Sequence, residues 1–228
     1  MTYQWHEIDI ETPVVELRRY RLRPGRRETL IGLFEARFIE PQEAAGARIL
    51  GSFRVDGDPD GFVWLRGFTH HAVRPGVLGS FYGGPVWQAN RDAANATMID
   101  SDDVHLLRAI SPRAGLIAPR LPRHGERLPA LRHTLVISEL RYPEWLGRYH
   151  LWLRLFLRKL GADPVASFAT LMAENNYPAL PVWRDRPVHV ALIRSAAPLP
   201  ALPTELGNML RAAPEIVTLT PTARSRLR

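Results

Sequence analysis

Cysteine is absent from the 228 residues, which excludes disulfides, thiolate catalysis, iron–sulfur clusters and Cys-ligated zinc and fits any reducing or neutral compartment. Lysine is almost absent as well. Lys159 is the single one, so arginine carries nearly all of the 30 positive side chains and the formal charge of +7. Those arginines are spread over strands, helices and linker instead of forming one block with interleaved aromatics, and no nucleic-acid partner is expected. No apolar run approaches the roughly 18 residues of a membrane span, and the opening MTYQWHEIDIETP is mixed and acidic, unlike a secretion signal. The expected location is the cytoplasm. A Gly-rich phosphate loop, a Walker motif and a nucleophile elbow are also missing, which removes the simple nucleotide and hydrolase readings. His70 and His71 are adjacent, so on a strand they diverge and in a loop they cannot alone make a metal site; no His-x-His or Glu-x-x-His supports them, and His150 reads as a packed or rim histidine in an aromatic helix. No metal and no other cofactor is expected.

With 46% hydrophobic and 23% charged residues, the chain can bury one large core or two small ones. Val14 to Leu22 alternates as a strand, with Val15 and Leu17 on one side and Glu16, Arg18 and Tyr20 on the other. Pro24-Gly25 leads into a helix carrying Leu30, Phe34 and Phe38 at four-residue spacing, which Pro41 kinks or ends. Arg48 to Val55 and Phe62 to Phe68 read as strands joined by the hairpin turn DGDPDG. In the second of them Trp64 and Arg66 alternate with Val63 and Leu65, and again share the face assigned away from the helices. Arg74-Pro75-Gly76 reads as a break. Gly83-Gly84-Pro85 then starts a helix to about Thr97, whose Ala89, Ala93 and Ala96 form a small-residue seam suited to close packing on a sheet. Val104 to Ala109 is the fourth strand.

From Ser111 to Leu131 the composition shifts to Pro and Arg, with Pro112, Pro119 and Pro122 among Arg113, Arg120 and Arg123, as in a semi-rigid linker or wrapping arm. Beyond it come a strand from His133 to Arg141, a helix with Tyr149, Leu153 and Phe156, strands near Val165–Met172 and Val188–Ser195, a short helix from about Thr204 to Arg211 and a strand at Ile216–Thr220. Glu139-Leu140-Arg141 echoes Glu16-Leu17-Arg18. The repeated order of elements predicts an α+β protein of two tandem ferredoxin-like domains, residues 1–110 and 132–228 about the 111–131 linker. Two such sheets can face each other and close a barrel-like chamber, within the chain or between chains of a homo-oligomer.

Val15-Glu16-Leu17-Arg18 with Tyr20 and Pro24-Gly25, then Phe38-Ile39-Glu40-Pro41-Gln42, then FYGGPVW through Asp100-Ser101-Asp102 closely resemble the NIPSNAP family over about residues 13–110. The resemblance implies a dimeric α/β barrel fold, which also serves cofactor-independent oxygenases, haem peroxidase relatives and polyketide cyclases. It implies no established reaction, and the family's better-known members are discussed as interaction and trafficking proteins. Where the family's Trp-x-x-His-Arg-Asp run often has His, this chain has Asn90, an amide that cannot titrate near neutral pH.

Glu16, Arg18, Tyr20, Trp64, Arg66 and Asn90 are therefore the candidate chamber lining, with Tyr82 and Arg91 at the rim. Arg18 or Arg66 suits an anionic or enolate oxygen, Tyr20 a proton donor, and Glu16 a base if burial raises its pKa. The competing arrangement is an internal ion-pair network among the same groups. The expected ligand is a small, partly apolar molecule, and the sharper form is a cofactor-independent oxygenase or isomerase. The alternative is a non-enzymatic protein-interaction module whose barrel is filled by side chains.

Overall fold

The computed structural model describes residues 13–111, 115–116, 119–162, 164–183, 185–194 and 198–228. Residues 1–12 of the lead, Pro112 and Arg113 of the Pro/Arg arm, and Ser195 of the expected Val188–Ser195 strand lie outside them. The first half runs β1 (Val14–Leu22), α1 (Arg27–Leu33), a π-helical turn (Phe34–Phe38), α2 (Ile39–Ala44), β2 (Arg48–Val55), β3 (Gly61–Phe68), α3 (Arg74–Tyr82), α4 (Pro85–Asn95) and β4 (Met98–Ala109). The second half repeats the plan with β5 (His133–Glu139), α5 (Leu146–Lys159), β6 (Pro164–Thr170), β7 (Val188–Arg194), α6 (Thr204–Gly207) and β8 (Glu215–Pro221).

Within each half the strands lie in the order fourth, first, third, second. The two sheets join edge to edge, β2 on β8 and β4 on β6, so that antiparallel strands close a single barrel in the order β1-β3-β2-β8-β5-β7-β6-β4. The tandem ferredoxin-like reading holds, and the barrel closes inside one chain. Each joint is short. Phe53 to Val55 pair with Pro221 to Leu219 at one, and Leu107 to Ala109 with Thr170 to Phe168 at the other.

Strand alternation decides what fills the barrel. Val15, Leu17, Leu50, Phe53, Val63, Leu65, Leu107, Leu135, Phe168, Val190, Leu192 and Leu219 form one apolar cluster to which every strand contributes. A barrel of about eight strands is just wide enough for its own side chains, so the interior is a dry core. Trp64, on the other face of β3, packs instead with Leu30, Phe34, Phe38 and Phe81 of the helix layer. Glu16, Arg18, Tyr20 and Arg66 share that outward face. The sequence-based assignment of these residues to the barrel interior is thus inverted: the alternation was right, but the polar face meets the helices.

Two helices differ from expectation. Arg74-Pro75-Gly76 does not break the chain; it opens α3, where proline is tolerated in the first turn because the N–H it lacks has no helical partner there. In α4 the buried residue is Ala94, with Val86, Trp87 and Asn90 partly buried, while Ala89, Ala93 and Ala96 are exposed. The alanine seam is a solvent face. Substituting Ala93→Glu should therefore leave stability within about 0.5 kcal/mol of wild type, whereas a seam packed on the sheet would lose several-fold more; a urea midpoint measures the difference.

After β8 the chain returns to the first half. Thr222 Oγ1 meets Ser52 Oγ at 2.7 Å. Arg224 pairs with Glu40, and its Nη1 donates to the carbonyl of Glu35 at 2.9 Å. Arg226 pairs with Glu43 and donates to the carbonyls of Ile49 and Pro119. Among the described residues no helix is long and apolar enough to cross a membrane.

Candidate functional site

Glu16 on β1 is completely buried, and three guanidinium groups converge on it. Arg66, its cross-strand partner on β3, donates through Nη2 to Oε2 at 2.6 Å and through Nε at 3.2 Å. Arg18 donates to the same oxygen at 3.0 Å. Arg74 at the start of α3 donates through Nε to Oε1 at 2.6 Å. Burial alone would push the Glu16 carboxyl up, but Arg66, Arg18 and Arg74 together outweigh it and hold it well below the usual carboxylate range. Glu16 is consequently a fixed counterion, and the base role foreseen for it has the wrong sign of shift. One carboxylate facing three guanidiniums leaves a surplus of two positive charges in a dry layer. Neutral amides complete the shell: Gln42 Oε1 accepts from Arg66 Nη1 at 2.7 Å while its Nε2 donates to the Phe38 carbonyl at 3.0 Å.

Beside this cluster lies a small cavity of about 30 Å³ lined by Tyr20, Phe34, Phe38, Gln42, Trp64, Phe81, Tyr82 and Trp87. The rings meet edge to face, Phe34 on Trp64 with centroids 4.9 Å apart and Tyr82 on Trp87 likewise at 4.9 Å. Arg66 and Arg18 place their guanidinium carbons 5.1 and 5.5 Å from the Trp64 ring centre, close enough for cation–π attraction. Arg18 Nε donates to the Tyr20 hydroxyl at 3.1 Å. Burial and the neighbouring Tyr82 raise the Tyr20 phenol against the pull of Arg18, so Tyr20 keeps its proton at neutral pH. Trp64 is 3% exposed, and its indole Nε1 has no hydrogen-bond partner. A buried donor left unpaired costs about 1–3 kcal/mol.

Six of the eight expected residues gather here: Glu16, Arg18, Tyr20, Trp64, Arg66 and Tyr82. Tyr82, partly exposed, lines the cavity. Asn90 does not join them; its Nδ2 donates back to the Val86 carbonyl at 2.8 Å, and it lines a separate open groove with Arg37, Glu40 and His124. Arg91 is exposed, engaged with Gln88 and Asp92. Sequence reasoning missed Gln42 and Arg74 as members of the site. The signal for Arg74 was Pro75 as a helix opener ahead of Val77, Leu78 and Phe81. A more open depression of about 380 Å³ lies among barrel-facing residues such as Arg19, Val63, Asp103, Glu215 and Val217. Within it Arg19 clasps Glu215 through both nitrogens and lies 3.4 Å from Asp103. Among the described residues no three metal-ligating side chains converge.

The barrel and this sheet-to-helix site allow comparison with known proteins. Residues 15–112 match the NIPSNAP family model. The NIPSNAP-matching stretch is thus the first half, from β1 through β4, and contains every residue of the cluster around Glu16. Solved structures resemble the whole barrel at low identity. A proposed monooxygenase from Fusobacterium nucleatum aligns at a TM-score of 0.55 with 7% identity, covering 92% of each chain. A proposed monooxygenase from Lactobacillus acidophilus aligns at 0.54 with 11% identity over 94% of this chain and 97% of its own. An anthrone oxidase-like protein aligns at 0.51 with 12% identity over 94% of both. At these identities the likeness is one of fold. No curated protein matches the chain in sequence.

Proposed function

We propose that the NIPSNAP-like half binds a small, flat, partly apolar molecule bearing an anionic oxygen, held between the aromatic walls with its oxygen toward Trp64, Arg18 and Tyr20. The observation that carries this is the unpartnered Trp64 Nε1 on a cavity backed by a surplus of buried positive charge. In that pose Trp64 donates its indole N–H, and Tyr20, whose oxygen accepts from Arg18, donates its phenolic hydrogen. Donors aimed at developing negative charge in a dry site are the strongest electrostatic device available to a protein. The half-exposed Tyr82 and Trp87 form the outer wall and swing aside to admit the molecule.

The sharper reading is an oxygenase or isomerase without cofactor, in keeping with the relatives described as monooxygenases and as anthrone oxidase-like. The site stabilises an anion but offers no strong base, since Arg66, Arg18 and Arg74 make the Glu16 carboxylate a poor proton acceptor. The substrate must therefore ionise readily by itself, as a phenol or enol does. For an activated CH2 the balance is CH2 plus O2 giving C=O plus H2O, one oxygen atom entering the carbonyl and the other leaving as water with both hydrogens. Oxygen uptake on such a substrate that is unchanged by Tyr20→Phe removes this step from the proposal.

The binding claim has its own test. Wild-type protein should bind 4-nitrophenol as the phenolate, with the bound probe yellow at a pH where the free probe is mostly colourless. Trp64→Phe keeps a ring but removes the N–H, and should weaken binding about tenfold at an unchanged melting temperature. Equal binding by Trp64→Phe, or none by wild type, overturns the assignment. The second reading is an interaction module without a small-molecule ligand. It draws on the barrel interior being packed with apolar side chains, and absence of any probe binding would favour it.

A further inference from the structure

We infer that the outward face of α5 docks on an anionic membrane surface, its leucines entering the headgroup boundary and its cations meeting lipid phosphates. This inference is independent of the anion site in the first half. Tyr149, Leu153 and Leu157 are buried on one side of α5, where they pack with Val136, Ala191 and Ile193 of the second sheet. At about 100° per residue the opposite side carries Leu151 and Leu155, which are 56% and 48% exposed. They form an apolar ridge one turn apart. Exposed Arg148 and Lys159 flank it on one side and exposed Arg158 on the other. Half-buried Trp152 lies under Arg148, whose guanidinium carbon is 4.2 Å from the ring centre.

The charge on this helix is of one sign. Residues 146–159 hold three arginines, one lysine and no Asp or Glu, whereas a helix built to face only water gains from acidic residues four positions before its basic ones. Apolar side chains at the centre of a cationic face identify the occupant. A nucleic-acid backbone answers the cations and leaves both leucines in water. A second copy of this chain covers the leucines but sets cations against cations. An anionic bilayer answers both, because long basic side chains reach up to the phosphates while the leucines sink below them. Trp152 suits the same depth, since an indole has an apolar body and a polar edge.

Co-sedimentation with vesicles tests this, using phosphatidylcholine alone and phosphatidylcholine mixed equally with phosphatidylglycerol. Wild type should partition to the mixed vesicles about tenfold more strongly than to the neutral ones. Leu151→Ser/Leu155→Ser should weaken that partition about tenfold at an unchanged melting temperature. Arg148→Gln/Lys159→Gln should weaken it about tenfold as well, and serves if the leucine variant does not fold. Arg23→Gln/Arg26→Gln removes equal charge from exposed positions of the first half and should stay within about twofold of wild type. No binding by wild type, equal binding to both vesicles, or a folded leucine variant that binds as well as wild type overturns the inference. An equal loss in the Arg23/Arg26 variant also overturns it, since the attraction would then belong to the net charge of +7 and not to α5. Sedimentation velocity without vesicles is the last check: a wild-type dimer that the leucine variant cannot form assigns the face to a second copy and overturns the inference too.

Discussion

Replacing Glu16 by Gln should cost about 3–5 kcal/mol of stability, enough to unfold a protein of ordinary margin. The substitution keeps size and hydrogen-bonding capacity but leaves Arg18, Arg66 and Arg74 buried at 2%, 0% and 0% exposure with no counter-charge among them. Removing one partner of a buried ion cluster leaves the other charges desolvated and unpaired, and that penalty far exceeds the net worth of the pairs themselves. The exposed pair of Arg54 and Glu28 on the same half makes the control: Glu28→Gln should cost less than about 1 kcal/mol. Urea unfolding of the two variants measures both, and a Glu16→Gln loss no larger than the control would show that the guanidiniums find other compensation.

The second large effect is with pH. Stability should fall steeply as the pH drops from about 6.5 to about 4, by on the order of 5 kcal/mol in total. Three buried histidines are responsible. Burial pushes His105 down to about 4, with Arg19 and Arg186 adding to it against Asp103. Burial and Arg194 push His133 down to about 4, and burial with the neighbouring His150 pushes His189 down to about 3. Each is neutral in the fold, while the unfolded chain binds a proton near the ordinary value of 6.5. Below that value the unfolded state takes up protons that the fold refuses. The stability contributed is thus complete above 6.5 and lost as pH falls toward the folded values. Glu16 has the same sign, but its loss begins only below the ordinary carboxylate value of 4.5, so the two sources separate on the pH axis. Melting temperatures followed from neutral pH down to 4 measure the slope. A flat profile between 6.5 and 4.5 would show that these imidazoles are protonated within the fold.

Much of the fold was legible in the chain because it rests on local pattern. Period-two alternation in β1 and β3 separated Val15, Leu17, Val63 and Leu65 from Glu16, Arg18, Trp64 and Arg66 correctly. The repeated order of strands and helices gave the tandem plan. What alternation cannot say is which face turns inward, since both choices have the same period; closure of the barrel decided it, and closure depends on β8 and β6 arriving from far along the sequence. The helix α3 was obscured by Pro75, Gly76 and Gly79, residues of poor helix propensity, and with it went Arg74. Asn175 and Asn176 lie in an aperiodic connection whose meaning is a contact with Arg74 about a hundred residues away. The polarity of α4 misled in the opposite sense. Its alanines are small enough for a seam, but Trp87 and Ala94 take the buried side.

On the corresponding strands of the second half, the buried cross-strand pair is Ser138 and His189 instead of Glu16 and Arg66. Ser138 is engaged by the Tyr149 hydroxyl at 2.7 Å, and His189 by His150 at 3.1 Å. A barrel assembled from two identical chains must carry every residue twice, and whatever one half gains the other inherits. Joined in one chain, the halves have been released from that copying: one holds the charged layer while the other supplies asparagines to orient it, so each barrel holds a single copy of the site. The joints at β2 with β8 and β4 with β6 are then intramolecular, and dilution does not take the site apart.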